Sequence, residues 1–171
     1  MKTILKIDAP LYRGVIEHLL PPEPIHEQAA FLFAREDRQP QQATFTVEEA
    51  AKLGPRDFEI QQRDYIEMAD ETRARIIKRA HDTGTCLIEI HSHLGDWPAG
   101  FSYADRFGLK ETVPHMWWRL KKRPYLALVV TNSSFDALVW LHNARTPQQL
   151  DILLAGDETR TPTNFSLRGW G

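Results

Sequence analysis

Residues 85–105 read TCLIEIHSHLGDWPAGFSYAD, an apolar run that ends in a histidine pair and is followed by a serine and an aspartate. The apolar part has the length and residue types of a buried strand, and open α/β sheets commonly place ligands at the carboxyl ends of such strands. Residues i and i+2 of a strand point to the same face, so His91 and His93 can reach one ion. A helix that starts at Ser102 would bring Asp105 to the same place.

His91, His93 and Asp105 offer two nitrogens and one oxygen, a donor set that Zn²⁺ accepts in proteins. Three protein ligands leave the fourth tetrahedral position open, which is typical of a catalytic zinc, where a water of pKa ~7 can bind. S-x-x-D also fits a helix capping box, but the upstream histidine pair favours Asp105 as a ligand, and Ser102 can serve both purposes. The other histidines lack a matching spacing and are assigned no role: His18, His26, His81, His115 and His142.

The stretch from His91 to Asp105 resembles the motif of the JAMM (MPN+, JAB-domain) zinc metalloproteases, which include prokaryotic deubiquitinase-like enzymes. That motif is a histidine pair followed by S-x-x-D, with a glutamate upstream. The family usually has proline directly after the second histidine, whereas this chain has Leu94, a departure that touches the loop and no ligand. In the order of its elements the resemblance spans about residues 10–145.

The resemblance also implies which side chains act on the substrate. Glu27 begins EQAAFLFA, which looks like the family's upstream glutamate leading into an apolar strand, and would be the general base. Ser102 would donate a hydrogen bond to the oxyanion of a tetrahedral intermediate. Glu17 and Glu23 are weaker candidates for the base. Glu89 is a rival, because in a regular strand it shares the face of the histidine pair and could support the ligands or act as the base itself.

The function implied is that of a zinc-dependent isopeptidase or peptidase that cleaves at the C-terminus of a ubiquitin-like or sulfur-carrier-like protein, deconjugating or maturing it. The chain lacks the long insertions of eukaryotic deubiquitinases, which favours a stand-alone prokaryotic enzyme. The extended tail of the substrate would lie in a groove. Two segments rich in aromatic residues could line this groove, but packing in the core or in a hydrophobic lid is an equal alternative for them. They are Trp97, Pro98 and Phe101, and then Met116, Trp117 and Trp118.

Two other classes of protein remain possible. PHP and metallo-β-lactamase-like phosphoesterases also use an H-x-H pair, but the latter needs an aspartate two residues after the second histidine, and Asp96 lies three residues after His93. PHP domains open with their pair near the N-terminus, whereas this pair lies mid-chain. A non-catalytic MPN scaffold would typically have lost ligands that this chain retains.

Composition narrows the class of protein further. The chain has 171 residues, a net charge of −2 and a pI near 6.4, so it carries no basic field that would gather nucleic acid. No apolar run approaches the ~20 residues of a membrane span. The lone Cys86 lies in an apolar run and is expected to be a buried, inert thiol. We expect a cytoplasmic protein with no nucleic-acid or membrane partner.

The expected fold is α/β, with a mixed, curved sheet flanked by helices as in the MPN (JAB) fold. One domain would cover residues 1–171, with a motif core over about 10–145 and a polar tail over 156–171, of which we expect the last residues, 167–171, to be disordered. The expected strands are 4–7, 27–34, 44–47, 58–61, 85–90, 124–131 and 135–141, with a polar turn over 35–42 and a short strand or helix over 150–154. The expected helices are 11–20, 64–81 and one that starts at Ser102.

Overall fold

A computed structural model describes all residues from 1 to 171 and contains eleven strands, four α-helices and a 3-10 turn at Pro55–Asp57. The helices are α1 Ala9–Leu19, α2 Asp70–Thr83, α3 Tyr103–Arg119 and α4 Phe165–Arg168. The strands are β1 Lys2–Ile7, β2 Ala29–Gln39, β3 Gln42–Lys52, β4 Phe58–Gln61, β5 Ile66–Met68, β6 Cys86–Ser92, β7 Tyr125–Val130, β8 Phe135–Trp140, β9 Gln148–Gln149, β10 Ile152–Ala155 and β11 Glu158–Arg160.

Nine strands form one mixed sheet in the order β11-β10-β1-β3-β2-β6-β7-β8-β9, and β4 and β5 form a separate hairpin. Strand β6 lies in the middle of this sheet, antiparallel to β2 and parallel to β7. The predicted α/β class and the mixed sheet are confirmed. None of the helices combines the length and apolar character that crossing a membrane requires.

The two faces of the sheet carry two apolar cores. Alternate residues of β2 divide between them: Leu32 belongs to one core and Phe31 to the other. Helix α1 covers the first face, and α2 and α3 cover the second. A strand that is buried on both faces needs apolar residues throughout, which is why the starts of β2 and β6 read as continuous apolar runs.

The sequence predictions were wrong where polar residues form regular structure. Strand β2 continues through the stretch predicted to be a turn, because its backbone pairs with β3 as far as Gln39 opposite Gln42. Arg35 of this extension forms an ion pair with Glu48 on β3. The helix predicted from residue 64 begins only at Asp70, since Ile66–Met68 pairs with β4 instead.

The prediction of a disordered terminus over 167–171 was also wrong, because Leu167 and Arg168 belong to a helix at the end of the ordered segment 156–171. This segment contains β11 and α4, and the fully buried carboxylate of Asp136 on β8 fixes it in place. Asp136 accepts the backbone N–H of Asn164 at 3.0 Å and that of Ser166 at 2.8 Å. A polar tail therefore docks through hydrogen bonds to a buried carboxylate, a contact that hydrophobic patterning does not reveal.

Candidate metal centre

The histidine pair lies where β6 leaves the sheet. His91 is the last but one residue of β6 and is buried, with 6% of its surface exposed. His93 follows the strand, but its N–H still donates to the carbonyl of Val130 at 2.9 Å, which continues the pairing with β7 by one step. Both side chains therefore point to the face covered by α2 and α3, as the i, i+2 spacing predicts.

The register between β2 and β6 brings Glu27 to the same point. Ala29 pairs with His91, so Glu27, two residues earlier on an antiparallel strand, lies opposite His93. Two hydrogen bonds extend this pairing beyond the ladder: the N–H of Ser92 donates to the carbonyl of Gln28, and the N–H of Gln28 donates to the Oγ of Ser92. The Oε2 of Glu27 lies 3.9 Å from the Nε2 of His93.

Asp105 reaches the centre from the first turn of α3. Ser102 is the N-cap of that helix, and its Oγ accepts the N–H of Asp105 at 3.0 Å while the Oδ2 of Asp105 accepts the N–H of Ser102 at 2.9 Å. This is the capping box that the sequence predicts. The same Oδ2 lies 3.3 Å from the Nε2 of His91 and 2.9 Å from the Nε2 of His93.

These distances fit a shared metal ion. Ligand atoms bound tetrahedrally at 2.0–2.1 Å lie roughly 3.3–3.4 Å from one another. The two histidine nitrogens are 3.2 Å apart, and each is about as far from Asp105 Oδ2. Ligand atoms of Glu27, His91 and His93 also lie within 4.8 Å of one another. The structure thus places four ligand-capable side chains around one point, with Asp105 nearer to the two nitrogens than Glu27 is.

The charges of these groups influence one another. Burial raises the pKa of the Glu27 carboxyl to about 7, although His91 and His93 act to lower it. Burial opposes protonation of His91, but the Asp105 carboxylate beside it raises the pKa of the imidazole to about 9. Burial also acts to raise the pKa of Asp105, yet the adjacent His91 holds it well below its usual range. A buried carboxyl of pKa near 7 can both take up and release a proton at neutral pH.

Glu89, the rival for the role of base, has a different partner. It lies on the same strand face as His91, but its hydrogen bond comes from the Tyr125 hydroxyl, which donates to Oε1 at 2.7 Å. Burial raises the pKa of Glu89. It is not part of the group formed by Glu27 and the two histidines.

The C-terminal segment holds the loop between the histidine pair and Ser102, a feature the sequence analysis missed. The N–H of Phe101 donates to the Oγ of Ser166 at 2.8 Å, and the Oγ1 of Thr163 donates to the carbonyl of Ala99 at 2.6 Å. The Ser166 side chain is buried and its backbone is fixed by Asp136. We call Asp136, Thr163 and Ser166 the C-terminal clamp. No local sequence signal marks it, because Thr163 and Ser166 lie about 65 residues from the loop that they hold.

The aromatic residues near the motif divide between core and surface. Phe101 is buried and packs against His91, with the ring centroids 5.8 Å apart. Met116 is fully buried, Trp117 is partly buried, and Trp97 and Trp118 are exposed by 78% and 74%. Core packing therefore explains Phe101 and Met116.

No protein-family model matches this chain, and no curated protein matches it. Among solved structures, one similar chain is the STIL N-terminal domain of Trichoplax adhaerens, at 12% identity and a TM-score of 0.39. The match covers 75% of this chain and 37% of that chain, so this chain spans well under half of the other's length. A likeness of this strength carries no conclusion about fold family or function. The fold and the site define a mixed α/β protein with a buried group of side chains that could hold a metal ion.

Proposed function

We propose that this protein is a zinc-dependent peptidase or isopeptidase of the JAMM (MPN+) type. One observation carries the proposal: Glu27, His91, His93 and Asp105, from three separate segments, meet at one point with the capping serine of α3 beside them. These are the residue types that the motif resemblance assigns to the ligands, the base and the oxyanion donor, which supports the proposal. The order of the segments that supply the residues, first the segment leading into β2, then the end of β6 and then the first turn of α3, supports an MPN-like fold.

The donor set suits zinc, which accepts imidazole nitrogen and carboxylate oxygen at distances like those of the site. His91, His93 and Asp105 would hold the ion. When bound, zinc supplies Lewis-acid chemistry, since it polarises a carbonyl oxygen and lowers the pKa of water.

Glu27 is proposed to move the proton. Its Oε2 points toward His93 at the centre of the site, and burial gives its carboxyl a pKa of about 7. A carboxylate of this kind can take a proton from the attacking water and then return it to the leaving amine. Glu27 lies two residues before β2, the strand next to β6, and the register of these strands places it opposite His93.

Ser102 is proposed to stabilise the oxyanion. Its Oγ is the acceptor in the bond from the Asp105 N–H, which leaves the hydroxyl proton of Ser102 available to a substrate oxygen. The capping geometry fixes Ser102 before substrate arrives. A donor that is already in place costs no reorganisation when negative charge develops.

The substrate proposed from the resemblance is the C-terminal linkage of a ubiquitin-like or sulfur-carrier-like protein, cleaved in the cytoplasm. The test compares an isopeptide-linked conjugate of such a protein with bis(p-nitrophenyl) phosphate, with chelator and then with zinc restored. Chelator-sensitive cleavage of the conjugate alone is expected. Cleavage of the phosphodiester alone would favour the phosphoesterase alternative, and cleavage of neither would favour a non-catalytic scaffold.

A further inference from the structure

A cavity of about 560 Å³ lies beside the metal centre, between the β4–β5 hairpin and the first turns of α3. His91 and Asp105 line it at the centre itself, and its lining continues along α3 to Thr112, roughly 10 Å further on. The cavity has the size of a typical ligand site. A substrate with its cleaved bond at the histidine pair would have a neighbouring side chain at the mouth of this cavity.

The walls of the cavity are mainly apolar and its rim is aromatic. Thirteen of the 21 lining residues are hydrophobic, including Phe31, Phe58, Ile66, Met68, Phe101 and Leu109. Tyr65 on the hairpin and Tyr103 and Phe107 on α3 also line it, and all three are exposed. Large aromatic side chains that stay exposed around a cavity are typical of a binding surface.

Carboxylates outnumber arginine and lysine in this cavity. Glu67, Glu89 and Glu111 line it, and Arg73 is its one arginine or lysine side chain. Glu89 extends from the central strand β6, so its carboxyl belongs to the floor, whereas Glu67 and Glu111 are exposed near the rim. Tyr125 donates to Oε1 of Glu89, and the carboxyl retains a second oxygen for a ligand.

We propose that this cavity binds an arginine side chain of the peptide substrate, next to the cleaved bond, with its guanidinium on Glu89. Arginine fits because its methylene stem can lie along apolar walls while its planar head bonds a carboxylate and stacks on aromatic rings. The inference rests on the proposed peptidase function, because that function places the peptide at the histidine pair. It also gives Glu89 a role in specificity that is separate from the chemistry.

The experiment measures binding without turnover. The full chain carrying Glu27→Gln is titrated by NMR with blocked tetrapeptides Ac-Ala-Ala-Xaa-Gly-NH₂, in which Xaa is arginine, its neutral near-isostere citrulline, or norleucine. We expect the arginine peptide to bind about tenfold more tightly than the citrulline peptide, as for a hydrogen bond to a charged group. The shifted resonances should include those of Ile66 and Thr112.

Two further variants test which carboxylate causes the preference for arginine over citrulline. Adding Glu89→Gln should reduce the preference for arginine over citrulline to within about twofold, and adding Glu111→Gln, which removes one exposed rim carboxylate, should leave most of it. Equal binding of the two peptides, no binding of the arginine peptide, or a preference that survives Glu89→Gln in a folded chain would each overturn the inference. If Glu89→Gln does not fold, the arginine–citrulline comparison in the Glu27→Gln chain decides. An arginine preference in a protein that cleaves no conjugate would instead count against the proposed function alone.

Discussion

The Oδ2 atom of Asp105 lies 2.9 Å from the Nε2 atom of His93. The same oxygen accepts the backbone N–H of Ser102 at 2.9 Å, so the bond that caps α3 also aims the carboxylate at the histidine pair. The capping and ligand interpretations of S-x-x-D are therefore compatible. Because the cap fixes the side-chain rotamer of Asp105, the ligand position is held before any ion binds.

Zinc should bind one per chain through the histidine pair and Asp105. His91→Ala should lose zinc, whereas His115→Ala, which changes an exposed histidine of α3, should retain it. Elemental analysis of the purified proteins measures the ratio. Equal zinc in the two variants would refute the site.

Asp105 and Glu27 should behave differently toward zinc, since Asp105 is the nearer carboxylate to both histidines. Asp105→Asn should weaken zinc binding strongly, while Glu27→Gln should preserve it. Competition with a chromophoric chelator gives both affinities. The opposite order would make Glu27 the third ligand.

Ser102→Ala should keep zinc but slow cleavage on the order of a hundredfold, because one oxyanion donor is lost. It should also lower the free energy of unfolding by about 1 kcal/mol through the lost N-cap. Ser102→Thr is the matched control, since threonine keeps both the hydroxyl and the cap. A Ser102→Ala protein with unchanged rate and unchanged zinc content would leave only the capping role.

Removing the hydroxyl of Ser166 should loosen the loop that leads to Ser102. Ser166→Ala leaves the buried N–H of Phe101 without a partner, which costs about 1–3 kcal/mol of unfolding free energy. The zinc affinity of Ser166→Ala should also fall, because the loop leads to Ser102 and Asp105. Thr161→Ala, an exposed change in the same segment, should alter neither property. Urea titration measures the unfolding free energy of the two variants, and competition with a chelator measures their zinc affinity. If Ser166→Ala and Thr161→Ala gave the same values, the C-terminal clamp would not position the loop.

Cys86 should resist thiol reagents in the folded protein, as burial raises the pKa of its thiol to about 12. At pH 8 the folded thiol stays protonated, whereas the thiol of the unfolded chain has an ordinary pKa of about 8.5. The folded state therefore loses stability as pH rises from about 8.5 toward 12. DTNB at pH 8 should react only after denaturant is added, and prompt reaction of the native protein would contradict the buried position.

The apolar strands could be predicted from the sequence. A strand that is buried on both faces of the sheet consists of consecutive hydrophobic residues, as in the run that ends at His91. The grouping of His91, His93 and Asp105 follows from strand and helix spacing. The position of Glu27 beside them could not be predicted in this way, since it depends on the register between β2 and β6, which pairs Ala29 with His91, 62 residues further along the chain. Only the family resemblance suggested it.

The predictions that were wrong concern segments whose structure depends on polar contacts. The outer part of β2 beyond Ala34 pairs through its backbone, and its charged side chains gave no strand signal. The short stretch Ile66–Met68 fits a helix pattern as well as a strand, and its pairing with β4 decides the outcome. The docked tail depends on Asp136, whose buried carboxylate looks in sequence like an ordinary polar residue of a strand.

The central claim is that Glu27 carries the proton in a zinc peptidase. The direct measurement is the rate at which Glu27→Gln and Glu89→Gln cleave a ubiquitin-like C-terminus joined to a reporter lysine, each with its zinc content determined. Glu27→Gln should be folded, zinc-loaded and inactive. Glu89→Gln should be zinc-loaded and active, with a rate reduced by at most about ten- to a hundredfold, the range expected even for a group that supports a metal ligand. Full activity of Glu27→Gln beside an inactive, zinc-loaded Glu89→Gln would contradict the account and transfer the role of base to Glu89.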